Sequence, residues 1–594
     1  MKRSEAQEKY KWDFSHLYKN SDEWKADLIK VEKMCEEYKT FKNKLDDFEI
    51  FKKYLDLENE TDKLFAKLAQ YLHLADIDQT NNEFKELEIV FVNAYQKINQ
   101  YTSFIAPQLK SIGEQKIMQW LNSDQKYYKY IYGMKDFFEH AKHILSDHDE
   151  ELLSKVSRSR SSIDGMYDSL AYADRQEELI NYDGVEQPLT TTLFMKIMED
   201  SDPIKDQMLR REVSQIYSKN FSTKKHTFAK IYDSILQSTK ESLNLRNWNN
   251  SLEAALASDK VSSEIYKNLL LVGKKFIDPF KKYNLLIKEK FGFDKFYVTD
   301  RQLKLTKEYN KKFTVEQAQD IIKKSLLLLG DEYLQKLAIA WSDNRIDYFE
   351  DTNKRDGAYS SGGSGVDPVI LMNWDDKLNS VNTLAHESGH SVHTLLANEN
   401  QPYPLSEYPI ILAEVASTIN EHLLFDYLYS ETTDKNEKIY LLQQRIFDLS
   451  STFYRQIQFA DFEYRAHMQV EQDVPQTADS LAALFKDVEL DYGYDIFEKT
   501  DKLSYGWPRI SHFFHSPFYV YKYAIDCVAS FKLFNDIKNG NKDNLLNFLK
   551  AGGHKPPLEI LKDAGVDFSK DETYLPLINA IDQYINQLKE LIIE

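Results

Sequence analysis

The sequence predicts a mainly α-helical protein with one small β-sheet, and three observations carry that expectation. Turn formers are scarce: 18 glycines and 14 prolines in 594 residues are less than half the average share of about 12%. Sandwiches and barrels of short strands need more chain breakers than that. Apolar residues recur at spacings of three and four through most of the chain, the period of amphipathic helices. Only residues 345–374 combine β-rich runs with clustered glycines.

From residue 20 to about 170 the helical period dominates, as in Leu64, Leu68, Leu72 and Leu74 after Thr61 and Asp62. Asp183 and Gly184, between the short apolar flanks Ile180 to Tyr182 and Val185, predict a small hairpin. A boundary placed there gives an N-terminal helical lobe over 1–185 and a larger catalytic body over 186–594. Helical patterning resumes from about 190 to about 290. Two strands are expected at 346–349 and 369–374, joined by a flexible loop with Gly357, Gly362, Gly363 and Gly365. A helix beginning near 376–380 runs to about 398. After a loop with Pro402, Pro404 and Pro409, a second helix covers 410–429. Helix then continues to the end, interrupted near Gly493 and over 552–557.

Composition narrows the function. With 95 acidic and 76 basic residues the net charge is −19, and nucleic acid is a poor partner because phosphate binding draws on clustered Lys and Arg. Cys35 and Cys527 are the only cysteines, so neither a disulfide framework nor a thiolate metal site is expected. The first residues lack the apolar core of a secretory signal, and no apolar run approaches the roughly 18 residues of a membrane span. A cytoplasmic protein with no membrane partner is the expectation. Aromatic residues, 13% of the chain, are expected to fill the core of a large helical body.

Chemistry concentrates at His386-Glu387-Ser388-Gly389-His390. On a helix turning about 100° per residue, with His386 at zero, His390 falls near 40° and His393 near −20°, while Val381, Leu384, Ser388, Val392 and Leu395 gather around 200°. The paired imidazoles therefore face away from the expected core stripe and can aim two nitrogens at one ion. A catalytic zinc site takes three protein ligands and keeps one position for water. Glu414, one turn into the second helix, is the expected third ligand. His393 is its rival but lies about 10 Å along the axis from His386, which leaves it as a group beside the ligands or facing substrate. Glu387, near 100°, sits beside the metal without pointing at it, the place for a base that takes a proton from attacking water and returns it to a leaving amine. Glu421, on the same face as Glu414, can orient a ligand imidazole through its other nitrogen.

His386-Glu387-x-x-His390 followed by Glu414-Val415-Ala416-Ser417-Thr418 resembles oligoendopeptidase F, a branch of the thimet-oligopeptidase superfamily of zinc metallopeptidases. The likeness extends to Lys11-Trp12-Asp13-Phe14, to Gly357-Ala358-Tyr359, and to Trp507-Pro508-Arg509-Ile510-Ser511-His512 with Pro517-Phe518-Tyr519-Val520-Tyr521-Lys522-Tyr523. It implies a zincin-like helical clam with a deep channel, one zinc ion per chain, and hydrolysis of short peptides. It further implies that His512, Tyr519 and Tyr523 donate hydrogen bonds to the oxyanion, with Tyr521 and Arg509 as candidate substrate contacts. Gly357, Ala358 and Tyr359 would belong to a loop closing over substrate, and Val369 to Asn373 would offer a sheet edge for an extended peptide. The chain departs from the family at Ser388, where a larger apolar residue is usual, and at Ile525-Asp526-Cys527. A metallocarboxypeptidase on the same fold and a non-catalytic helical peptide-binding protein are the competing expectations.

Overall fold

The computed structural model describes residues 2–146, 148–149, 152–153, 155–156, 162–306, 309, 311–342, 344–498 and 503–593. Helix makes up 70% and strand 5%, the proportions that so few turn formers imply. No helix among the described residues is long and apolar enough to cross a membrane.

The chain forms two compact units, each assembled from separate stretches of sequence. One comprises Met1–Lys142, Asn310–Tyr427 and Leu533–Val566; the other comprises His143–Tyr309, Leu428–Lys532 and Asp567–Glu594. The boundary expected at residue 185 falls within a stretch of the second unit. The core of the N-terminal helices takes in the sheet as well: Trp24, Leu55, Leu68 and Ile117 share one apolar cluster with Val369 and Leu371.

Within the first unit, helices α1 (Ser21–Glu37) and α2 (Phe48–Leu72) begin where Asn20 and Asp47 accept hydrogen bonds from the next free amides. The hairpin near 183 belongs to the second unit. Strands β1 (Leu179–Tyr182) and β2 (Val185–Pro188) pair antiparallel around Asp183 and Gly184, both at positive φ, 53° and 79°, as a tight two-residue turn requires.

The first unit's sheet holds β3 (Ile346–Phe349), β4 (Tyr359–Gly363) and β5 (Val366–Trp374) in the order β3-β5-β4. β3 runs parallel to β5 and β4 antiparallel to it. Two expectations change. Part of the glycine-rich loop is a strand, and a Cβ on Gly362 would stand 2.8 Å from the Pro368 backbone, so glycine there permits close pairing. β5 is the middle strand, so the run from Val369 to Asn373 offers no edge to a peptide; β4 does. Beside the sheet, Lys354 is buried, its Nζ donating to Asp347 Oδ1 at 2.7 Å, Phe349 O at 2.6 Å and Met372 O at 2.7 Å.

Helix α3 (Asp331–Ala340) packs on α4 (Leu378–Asn400), and β4, β5 and the helix Asp543–Lys550 cover other sides of α4. α4 is therefore buried nearly all round, Glu387 and His393 included, instead of along the single stripe expected. α5 (Ala413–Glu431) follows. In the second unit, α6 (Gln456–Glu471) and the first part of α7 (Tyr521–Lys538), up to Lys532, accompany an aromatic core in which Tyr232, Phe462, Trp507, Phe513 and Phe514 lie ring against ring. The bulky aromatics fill space, as composition suggested.

Candidate active site

Three side chains from α4 and α5 converge. His390 Nε2 lies 3.2 Å from His386 Nε2, and Glu414 Oε2 lies 3.2 Å from the first ring's Nε2 and 3.5 Å from the second's. Among the described residues this is the one group of at least three His, Cys, Asp or Glu side chains able to hold a metal ion. Tetrahedral zinc with bonds of about 2.0–2.1 Å needs donor atoms about 3.3–3.4 Å apart, and the edges of 3.2, 3.2 and 3.5 Å bracket that spacing. On its far side His386 donates from Nδ1 to Glu421 Oε1 at 2.6 Å, which turns Nε2 inward. Two ring nitrogens and a carboxylate oxygen facing one point require a proton or a cation between them, so the donor set fits a zinc ion.

The electrostatics agree. Burial opposes a charge on His386, yet the Glu414 and Glu421 carboxylates hold its pKa well above the usual imidazole range. Burial likewise opposes ionisation of Glu414, and the two histidines nevertheless hold it well below the usual carboxylate range.

What holds the two helices together is visible at the atomic level. A Cβ on Gly389 would stand 2.6 Å from Ser417 Cα, so α4 and α5 touch backbone to backbone one turn from the ligands. Asn420 donates to Ala385 O at 2.9 Å and accepts from the Tyr333 hydroxyl at 2.7 Å, tying α5 to α4 and α3. Ser388 accepts from the Trp341 indole at 2.8 Å and donates to Leu384 O at 2.5 Å, which explains a hydroxyl where a larger apolar side chain is usual. Sequence reasoning passed over Gly389 and Asn420. The available signal was a glycine inside a helix, which costs about 1 kcal/mol relative to alanine and calls for a packing reason.

Glu387 contributes no atom to the triangle. It is 7% exposed, and burial raises its pKa against the pull of both histidines and the Ser360 amide of β4. Ser360 Oγ also lies 2.8 Å from Ser391 Oγ, which fixes the strand to α4. His393 is elsewhere: fully buried, stacked on Tyr408 at 3.6 Å, its ring nitrogens without hydrogen-bond partners, and pushed down to about 3 by burial and His390. It neither touches a ligand nor reaches solvent. The Tyr359 hydroxyl is committed to Asp76 at 2.5 Å and His73 at 2.9 Å. Gly357 precedes β4 at φ 83° with its carbonyl held by Asn373 at 2.8 Å, and half-buried Ala358 lies between them.

In the second unit, His512, Tyr519 and Tyr523 form a half-buried group. The Tyr523 hydroxyl is 3.3 Å from His512 Nε2, and the Tyr519 ring lies 5.9 Å from the imidazole and 5.5 Å from Tyr523. Phe518, at φ 57°, makes the turn between the helix His512–His515 and α7. Burial, then His515, lowers the pKa of His512. Tyr521 points away into the core, fully buried, donating to Asp259 Oδ2 at 2.8 Å while Lys522 binds Oδ1; it anchors α7 and is closed to substrate. Arg509 is exposed toward a cavity and lies over the Tyr217 ring at 5.0 Å.

Comparison with known proteins places this geometry. The model of Peptidase family M3 matches residues 203–579, and that of Oligopeptidase F matches residues 108–176. An oligoendopeptidase F homolog of Borreliella burgdorferi is 31% identical over 99% of both chains. Oligopeptidase PepF of Bacillus subtilis is 29% identical over the whole chain and 88% of its own length. Among solved structures, a candidate peptidase from Chlamydophila abortus superposes with a TM-score of 0.91 at 30% identity over 99% of each chain. Oligoendopeptidase-F from Enterococcus faecium superposes with a TM-score of 0.72 at 22% identity, over 96% of this chain and 99% of its own.

Proposed function

The chain belongs to peptidase family M3, and from that premise we propose that it is a zinc-dependent endopeptidase that hydrolyses short oligopeptides. The observation that carries the reading is the triangle of His386 Nε2, His390 Nε2 and Glu414 Oε2 with Glu421 behind it. Zinc bound there supplies Lewis acidity and lowers the pKa of water.

The chain's own residues do the rest. His386, His390 and Glu414 hold the ion, and Glu421 keeps the His386 ring in one tautomer and orientation. Glu387, its pKa raised by burial, accepts the proton of the attacking water at its carboxylate and delivers it to the leaving amine nitrogen. The edge of β4 beside Glu387 pairs with the peptide main chain, a mode of binding tolerant of side chains. His512, Tyr519 and Tyr523 donate to the oxyanion; removing one such donor typically costs about 3 kcal/mol of barrier stabilisation. Two buried, free cysteines support a cytoplasmic setting.

The test is metal analysis beside hydrolysis. Wild-type protein carries about one zinc per chain, and Glu387→Gln keeps it while losing hydrolysis. An active enzyme free of metal overturns the reading. Cleavage of a peptide blocked at both ends separates endopeptidase from carboxypeptidase action.

A further inference from the structure

The second unit encloses a cavity of about 280 Å³, near the lower end of the roughly 300–1,000 Å³ that small-ligand pockets span. Arg301, Arg455 and Arg509 all face it. The chain carries net charge −19, yet among the described residues none of these three arginines has a carboxylate at ion-pair distance. Each is matched with an aromatic group instead. Arg301 donates to the Tyr494 hydroxyl at 2.7 Å, Arg455 lies over Phe459 at 5.1 Å and Arg509 over Tyr217 at 5.0 Å. Glu489 also lines the cavity and attracts Arg455 from beyond ion-pair distance, while Ser504 donates to its Oε1 at 3.0 Å and Lys486 lies 3.4 Å from its Oε2. Arg455 and Arg509 are exposed, so an entering ligand can reach them.

Three like charges held around one space repel one another, and each always carries its charge. Such an arrangement is complementary to an anion, and guanidinium groups match carboxylates in paired hydrogen bonds. The remaining wall is mixed: Phe194, Phe459, Phe485 and Ile510 stand beside Gln302 and Gln458. Apolar side chains and amides together suit a carboxylate carried on a peptide, whose body offers both kinds of surface. Gly506, Arg509 and Ile510 line the cavity, and this stretch of chain leads directly into His512.

Resting on the reading of the chain as a peptidase, we propose that the cavity bounded by Arg301, Arg455 and Arg509 binds a carboxylate of the peptide ligand, either its C-terminal carboxylate or an acidic side chain.

The experiment takes one cleaved peptide in four forms: free or amidated at its C-terminus, and with Glu or Gln near that end. Steady-state kinetics on full-length enzyme are paired with calorimetric binding of the same peptides to Glu387→Gln. The expected result is a KM at least tenfold lower for a carboxylate-bearing form, with kcat changing less than threefold. The preference is lost in Arg455→Gln and in Arg509→Gln, and partly kept in Arg455→Lys. Whichever pair of peptides shows the difference identifies the source of the carboxylate. Equal KM values for all four forms, a preference that survives both glutamine variants, or tripolyphosphate binding at the arginines without carboxylate preference would each overturn the proposal. Failure of wild-type enzyme to cleave any form defeats the peptidase reading instead, and calorimetry on Glu387→Gln still decides the cavity.

Discussion

Glu421 governs which nitrogen of His386 faces His390 and Glu414, because a carboxylate 2.6 Å from Nδ1 holds the proton there. Glu421→Gln should weaken zinc binding about 10–100-fold with helix content unchanged, measured by competition with a chromophoric chelator. A second residue sets a pH dependence away from the metal. Glu463 on α6 is 1% exposed, and burial pushes it up to about 8 from an ordinary 4.5. Between those values the folded state keeps a proton that the unfolded chain has released, so stability falls as pH rises through the interval. Melting temperatures should therefore show Glu463→Gln gaining on wild type from about pH 5 to about pH 8; a constant difference would refute the assignment. The grouping of these side chains was legible because spacing on a helix is arithmetic: four residues return His390 to the face of His386, and seven return Glu421 to that of Glu414. His393 passed the same arithmetic and still lies in the core. Angle around one helix says nothing of what the next loop lays over it, here Tyr408 at 3.6 Å.

At the scale of elements, the site depends on how closely α4 and α5 approach. Gly389→Ala would drive a methyl group into the Ser417 backbone, an overpacking that commonly costs about 1–3 kcal/mol. Because Glu414 lies one turn from Ser417 on α5, the same change should lower zinc content although every ligand is intact. Denaturant unfolding and metal analysis of one preparation check both effects; wild-type metal affinity in a destabilised variant would show the contact to be packing alone. Strands β3 and β5 were legible as β-rich runs. β4 was not, since Tyr-Ser-Ser-Gly-Gly has little strand propensity and is a strand because β5 pairs with it. The hairpin of β1 and β2 was legible because its turn demands the Asp-Gly pair that the sequence supplies.

For the whole molecule, helix content followed from the shortage of chain breakers, and the division into units did not. Trp24 and Leu371 share a core across more than three hundred residues of sequence, and no local composition records such a partnership. The three residues of the triangle and Glu421 come from two helices that Asn420 and the close contact at Gly389 join by direct protein contacts. Chelation should therefore abolish hydrolysis and lower the melting temperature only by the lost binding energy, leaving the helical circular dichroism signal intact, and added zinc should restore activity. Collapse of that signal would mean that the ion holds the helices together. The place of β5 in the middle of its sheet also carries a consequence for diet. A filament flanked on both sides has no amide left for a guest; a guest lying along β4, as proposed, would feel chiefly the rhythm of amide groups. An enzyme reading rhythm in that way should accept most vocabularies and stumble on proline, whose nitrogen brings no hydrogen to the beat.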